Sequence, residues 1–294
     1  MKKILLLVLT LVACLTLVTA CGTQEDPVDT QDPVTNETGE TEETANNEQT
    51  ETVTLKVGAS ITPHAEILNQ VVDNLAEQGI TLEVIEFTDY VQPNLAVESG
   101  DLDANYFQHT PYMLQFNEEN GTHLVDVADM HYEAMGIYCG KLSSLDELYD
   151  GATIAVPNDA TNEARALLLL ADNGVITMKE GADLSATILD IEENPYNIEF
   201  VEMEAAQITL SLEDVDFGVI NGNYALQGGL TVAENAVATE TSDSEAATTY
   251  PNVLCVKEGN EENKAILALI EALQSDEVRN YINEAYGGVV VPLF

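Results

Sequence analysis

The sequence predicts an α/β protein built in two lobes with a ligand cleft between them, on three observations. Apolar residues alternate between strand and helix spacing from Leu55 to the C-terminus. That stretch, about 240 residues, suits two domains better than one. Several of its strands end in polar turns that feed helices, the position where open α/β sheets hold small molecules.

The N-terminus precedes the fold. Lys2-Lys3 is followed by an apolar run from Ile4 to Val18, and then by Thr19-Ala20-Cys21. A charged start, an apolar stretch too short for a comfortable membrane span and small residues before a cleavage point read as a signal peptide over residues 1–20. The cysteine after Ala20 resembles a bacterial lipobox, which implies cleavage before Cys21 and lipid, palmitate included, attached at Cys21. The alternative is a plain secretory signal with an incidental cysteine. Residues 21–53 are rich in Thr, Gln, Asn, Glu and Asp and nearly free of apolar side chains. They bury too little surface to offset their ordering entropy, so they read as an acidic, disordered tether. The chain is therefore expected on the extracytoplasmic face of the cell membrane, held by its lipid.

The first α/β run opens with a strand at Leu55–Ala59. Ile67, Leu68, Val71, Val72 and Leu75 then recur at helical spacing until Gly79. Thr81–Phe87 alternates as a second strand, and Val91–Ser99 forms a short helix stopped by Gly100. Asp103–Phe107 reads as a strand that ends at Gln108-His109 and turns into a helix capped by Thr110, with Pro111 at its first position. Two aromatics, an amide and an imidazole crowd this turn, which suits a ligand wall. They also fit an ordinary strand whose Tyr106 and Phe107 are core. His123–Ala128 and Glu133–Cys139 read as further strands.

The second run follows Ser143-Ser144, which can cap a short helix, and the Asp150-Gly151 turn. Thr153–Val156 is a strand, residues 157–162 a polar loop, and a helix continues to Asn173 before Gly174. Glu199–Met203 and Phe217–Ile220 are strands, the latter ending at Asn221-Gly222-Asn223. Asn252–Val256 is the last strand, with helices at Lys264–Gln274 and Ser275–Tyr286. No repeat of solenoid length is visible.

Composition excludes some functions. Nine Lys and Arg against 52 Asp and Glu leave a formal charge of -43, and nucleic-acid binding needs the cationic face this chain lacks. There is no GxSxG, no phosphate-binding GxxxxGK and no convincing Cys–His pair, so neither an enzyme nor a cofactor is expected. Cys139 and Cys255 are either two buried thiols or one long-range disulfide.

Binding chemistry is sparse enough to name. Arg165, one of only two arginines, sits one turn into a helix after a polar loop, where its planar fork suits a carboxylate. The alternative is a surface salt bridge with one of the nearby acids. Asn221 can accept from an ammonium and donate to a carboxylate, or be no more than a turn former beside Gly222. His64, His109, His123 and His131 lack metal-ligand spacing, yet with so many carboxylates they leave a metal-binding receptor as the alternative function.

Longer motifs carry a resemblance. Residues 86–94 (EFTDYVQPN), 100–112 (GDLDANYFQHTPY), 135–138 (MGIY), 144–148 (SLDEL), 156–159 (VPND) and 219–225 (VINGNYA) resemble, in order, the methionine-binding lipoproteins of ABC importers. The resemblance spans Leu55 to Phe294. It implies a type II-like periplasmic-binding fold, with one lobe over residues 54–140 and 251–294 and the other over 141–250. It further implies a monomer that closes on a methionine-like amino acid and delivers it to a permease driven by an ATPase. Carried over by position, Tyr106, Phe107 and His109 with Tyr90 form the side-chain pocket. Arg165 holds the ligand carboxylate, and Asn221 the amino-acid head. Ala160 replaces the family's usual proline, and residues 207–211 lack its customary arginine. Cys139 and Cys255 fall where the chain would cross between lobes, which keeps a hinge disulfide open.

Overall fold

The structure is a computed structural model that describes residues 52–294. The signal peptide, Cys21 and nearly all of the tether lie outside the described residues. In chain order the strands are β1 (Val53–Ser60), β2 (Ile80–Phe87), β3 (Ala104–His109), β4 (Leu124–Glu133), β5 (Gly136–Cys139), β6 (Thr153–Pro157), β7 (Thr177–Met178) and β8 (Ile191–Glu193). They continue as β9 (Glu199–Met203), β10 (Phe217–Ile220), β11 (Ala236–Thr239), β12 (Asn252–Lys257) and β13 (Val290–Pro292).

Two mixed sheets organise them. The first has the order β13-β4-β12-β3-β1-β2, the second β11-β5-β10-β6-β9, and β7 and β8 form a small ribbon apart. Strands joined by helices pair in parallel, β1 with β2 and β3, and β6 with β9 and β10. In the first sheet β12 and β13 return antiparallel, β12 wedged between β3 and β4. Such crossovers place helices on the sheet faces, and both faces need apolar cover.

Each sheet has its own core. Leu55, Val57 and Tyr106 of the first sheet pack with Leu68 and Leu75, and with Ile266, Leu269 and Ile282 of the C-terminal helices. In the second sheet Ile137, Ile154 and Phe217 pack with Leu167 and Leu170 of the helix Ala160–Asp172. Fully burying such side chains is worth about 1.5–3 kcal/mol each.

The chain leaves the first sheet after Glu133 and enters the second at Gly136. The single strand expected over Glu133–Cys139 is therefore two pieces, Glu133 ending β4 and Gly136–Cys139 forming β5 in the other sheet. β4 runs ten residues through His131 to Glu133, and the sheets change hands at residues 134–135, earlier than a boundary at 140. The helix expected over 67–75 is two pieces, Glu66–Asn69 and Val72–Glu77, because Gln70 and Val71 make tighter bonds to Ile67 and Leu68. Cys139 and Cys255 are free, the first half-buried in β5 and the second buried in β12 of the other sheet, so the two-thiol alternative holds with only one thiol fully buried.

Candidate functional site

The ends of β3, β4 and β10 and the start of β12 converge between the sheets and enclose a small cavity. β3 brings Phe107, Gln108 and His109, the turn after β2 brings Tyr90, and the helix Thr110–Asn120 brings Tyr112. The helix Ala160–Asp172 brings Asn162 and Arg165, and the turn after β10 brings Asn221, Gly222 and Asn223. Glu133 and Asn252 complete the lining at the crossings.

Five of the six sequence-derived ligand residues lie on this wall; Tyr106 does not. β3 alternates faces, so Tyr106 points into the core against Leu55 and Ile266, fully buried, while Phe107 turns to the cavity. The wall and core alternatives thus split between adjacent residues. Tyr90 is the aromatic centre of the wall, with ring centroids 5.6 Å from Phe107, 5.7 Å from Tyr112 and 4.8 Å from Tyr224.

His109 ends β3 and caps the following helix itself, in place of Thr110. Its Nδ1 accepts from the Tyr112 backbone N–H at 3.1 Å. The proton must then sit on Nε2, which donates to Asn162 Oδ1 at 3.2 Å. Burial, reinforced by the charge of Arg165, pulls the imidazole down to about 3, so it is neutral at physiological pH.

Asn162 Oδ1 also accepts from Asn221 Nδ2 at 2.7 Å. Asn162 is fixed in turn by Asp159, the cap of its helix, which accepts from Asn162 N and Nδ2 at 3.0 and 2.8 Å. The cap forms with Ala160 at the first helical position, so the loop needs no proline there. Asn221 thus spends one amide N–H within the protein, and its buried Oδ1 has no protein partner. Its neighbour shows the converse. Asn223 Oδ1 accepts from the Tyr90 hydroxyl at 2.5 Å, while its buried Nδ2 lacks a partner. One orphan acceptor and one orphan donor in a single cavity call for a ligand that both donates and accepts.

Arg165 is buried and already paired. Nε and Nη2 donate to Glu240 Oε1 and Oε2 at 2.8 and 2.6 Å, and Nη2 also reaches the Glu133 carbonyl at 2.9 Å. The Tyr250 ring lies 4.2 Å from the guanidinium carbon. Burial opposes the charge on Arg165, and Glu240 more than restores it, holding the guanidinium pKa above its usual value. Glu240 is fixed by Tyr132 Oη and Met135 N, both donating at 2.8 Å. No local pattern announces this acid, which lies 75 residues from Arg165.

Behind the cavity is a polar cluster that sequence spacing does not reveal. His131 Nε2 lies 2.6 Å and His64 Nε2 3.4 Å from Glu133 Oε1. His64 Nε2 also bonds Asn252 Oδ1 at 2.9 Å, and the Tyr106 hydroxyl bonds His131 Nδ1. Burial lowers His64 to about 4 and His131 to about 3 and raises the Glu133 carboxyl, against the opposing charges of His64 and Arg165. One ligand atom from each of these three residues lies within 4.8 Å of the others, close enough to hold a metal ion. His109 stands apart in the cavity and His123 is exposed beside Glu98, so two of the four histidines converge.

The comparisons with known proteins agree on one family. The model of the NlpA lipoprotein family matches residues 55–294. The D-methionine-binding lipoprotein MetQ of Escherichia coli is 40% identical over 241 residues, covering 81% of this chain and 87% of its own. A crystal structure of a lipoprotein from Ruminococcus gnavus is 60% identical, with a TM-score of 0.81, over 82% of this chain and 99% of that one. A nutrient-binding protein from Burkholderia cenocepacia, solved bound to methionine, is 42% identical with a TM-score of 0.76, over 82% of this chain and all of that one.

Proposed function

The chain belongs to the NlpA lipoprotein family, and we propose that within it this protein is the solute-binding component of an ABC importer for methionine or a close relative. It acts by binding, without a catalytic step. Its two-lobed periplasmic-binding fold closes on the amino acid, and a permease and its ATPase take the ligand onward. Lipid at Cys21 holds the monomer on the extracytoplasmic face of the membrane. The lobes comprise the first sheet, with residues 251–294 returning to it, and the second sheet.

The observation that carries this reading is the pairing of an aromatic wall with two orphaned polar atoms. Tyr90, Phe107 and Tyr112 would pack a thioether chain, worth about 1.5–3 kcal/mol in burial and about 0.3–1.5 kcal/mol in sulfur–ring contact. Asn221 Oδ1 accepts from the ligand's ammonium, while Asn223 Nδ2 and Arg165 face its carboxylate. The cavity is only about 20 Å³, room for roughly one water. Entry therefore requires the sheets to part, breaking the Tyr90–Asn223 and His109–Asn162 bonds that span them.

Calorimetry of the purified chain with L-methionine, D-methionine and a methionyl dipeptide tests the reading, alongside native mass spectrometry of whatever the protein carries. Binding of none of them, with no amino acid retained, would sink it. The His64–His131–Glu133 cluster supports a second reading, a metal-binding receptor. That reading requires metal in the purified protein and a lower melting temperature with chelator.

A further inference from the structure

Glu133 occupies an unusual electrostatic position. It is the last residue of β4, it lines the cavity, and it is 5% exposed. Gly222 makes room for it: a Cβ there would lie 2.8 Å from Glu133 Cβ and 3.0 Å from Oε2. The carboxylate therefore lies against the Asn221–Asn223 turn that carries both orphaned atoms.

Among the described residues no Lys or Arg side chain forms an ion pair with this carboxylate. Arg165, the nearby cation, gives Nε and Nη2 to Glu240 and only a main-chain contact to Glu133. The remaining partners are neutral donors. His131 Nε2 lies 2.6 Å and His64 Nε2 3.4 Å from Glu133 Oε1, both imidazoles kept neutral by burial, and the backbone N–H of Asn223 also reaches the carboxylate. A buried carboxylate held only by neutral donors lacks a counter-ion, and such a charge is costly until one arrives.

We propose that Glu133 is the anionic partner of the ligand's α-ammonium group, so that the site selects zwitterionic amino acids over the matching acids that lack the amine. The inference rests on the amino-acid reading above and adds its charge logic. Three ammonium N–H groups are divided between the Glu133 carboxylate and Asn221 Oδ1, and the carboxylate end goes to Asn223 Nδ2 and Arg165. Arg165 with Glu240 is already neutral as a pair, so the ligand's positive end is what the cavity lacks.

The test compares L-methionine with 4-(methylsulfanyl)butanoate, which keeps the thioether and carboxylate but has no amine, by calorimetry on the full chain in detergent. The wild type should prefer methionine by on the order of 100-fold. Glu133→Gln should lose most of that preference, methionine being weakened far more than the amine-free acid. Should Glu133→Gln fail to fold, Glu133→Asp decides: it should weaken methionine by about tenfold more than it weakens the amine-free acid. Equal loss of both ligands in the folded variant, or an unchanged preference, would overturn the assignment. So would zinc retained by the wild type and lost in Glu133→Gln, which would give the carboxylate to a metal. A wild type that binds both ligands equally sinks this inference alone, whereas one that binds neither sinks the amino-acid reading with it.

Discussion

Arg165 and Glu240 form a bidentate ion pair, Nε to Oε1 at 2.8 Å and Nη2 to Oε2 at 2.6 Å, with both side chains almost wholly buried. The arginine that the family resemblance assigns to the ligand carboxylate is thus oriented before any ligand arrives. An Arg165→Ala variant loses the ligand contact and also strands Glu240. It should be less stable by about 3–5 kcal/mol and bind methionine on the order of 100-fold more weakly. Melting curves and calorimetry separate the two effects, and near wild-type affinity would remove Arg165 from the site.

The Tyr90 hydroxyl donates to Asn223 across the cavity, and its ring touches Phe107 and Tyr224. Tyr90→Phe keeps the ring and deletes the bond, which is worth about 0.5–1.5 kcal/mol. Methionine affinity should fall by roughly 2- to 12-fold, with the loss appearing chiefly in the dissociation rate measured by stopped flow. An unchanged dissociation rate would show that this bond does not hold the closed form.

Gly222 sits where any Cβ would meet Glu133 Cβ at 2.8 Å and the Ala134 carbonyl at 3.2 Å. Gly222→Ala should therefore push the Asn221–Asn223 turn away from Glu133, costing about 1–3 kcal/mol of stability. Binding should weaken with it. A variant with wild-type melting and affinity would mean that the turn shifts freely.

His64, His109 and His131 are held neutral by burial, at about 4, about 3 and about 3 against an ordinary value of 6.5. Above pH 6.5 both the folded and unfolded chains leave them unprotonated, and their contribution is fully present. As the pH falls the unfolded chain takes up protons that the folded chain refuses, so each histidine removes about 1.4 kcal/mol per pH unit until its folded value is reached. Glu133 and Asp159, whose carboxyls burial raises, act in the opposite direction. Denaturant titrations between pH 7 and 4.5 on wild type and His109→Gln isolate one histidine. The variant should lose stability less steeply, by about 1.4 kcal/mol per pH unit, and parallel curves would contradict a neutral His109.

Cys139 is half-buried, while Cys255 is fully buried beside Met113, where burial pushes its thiol well above the usual range. A thiol-alkylating reagent on the native protein, read by peptide mapping, should label Cys139 and reach Cys255 only after unfolding. A peptide linking the two would contradict the free thiols.

The turn from Asp103 to Tyr112 was legible because its chemistry is local: strand alternation, a helix start and four recognition side chains in one stretch. Alternation alone does not say which face is the cavity, so Tyr106 and Phe107 could be separated only by the packing of Leu55 and Ile266. The capping role of His109 was hidden because an imidazole nitrogen does the work usually done by a hydroxyl or carboxylate. The partners of Arg165, Tyr90 and His64 lie 75, 133 and 188 residues away, and no local periodicity reports contacts of that range. Glu133 reads as an ordinary strand residue in sequence. Its significance comes from Gly222, whose missing side chain lets a distant turn close over it.

The placement of β12 between β3 and β4 has a mechanical consequence. The chain leaves the first sheet from β4 and comes back through β12, and these two strands are antiparallel neighbours. The second sheet is thus carried on two adjacent struts, like a page on its spine. Such a joint would favour rotation about one line over twisting about others, so under the proposed function closure on a ligand would be expressed as a single angle. Under that function, a surface gripping both halves at once would sense the angle without touching the ligand.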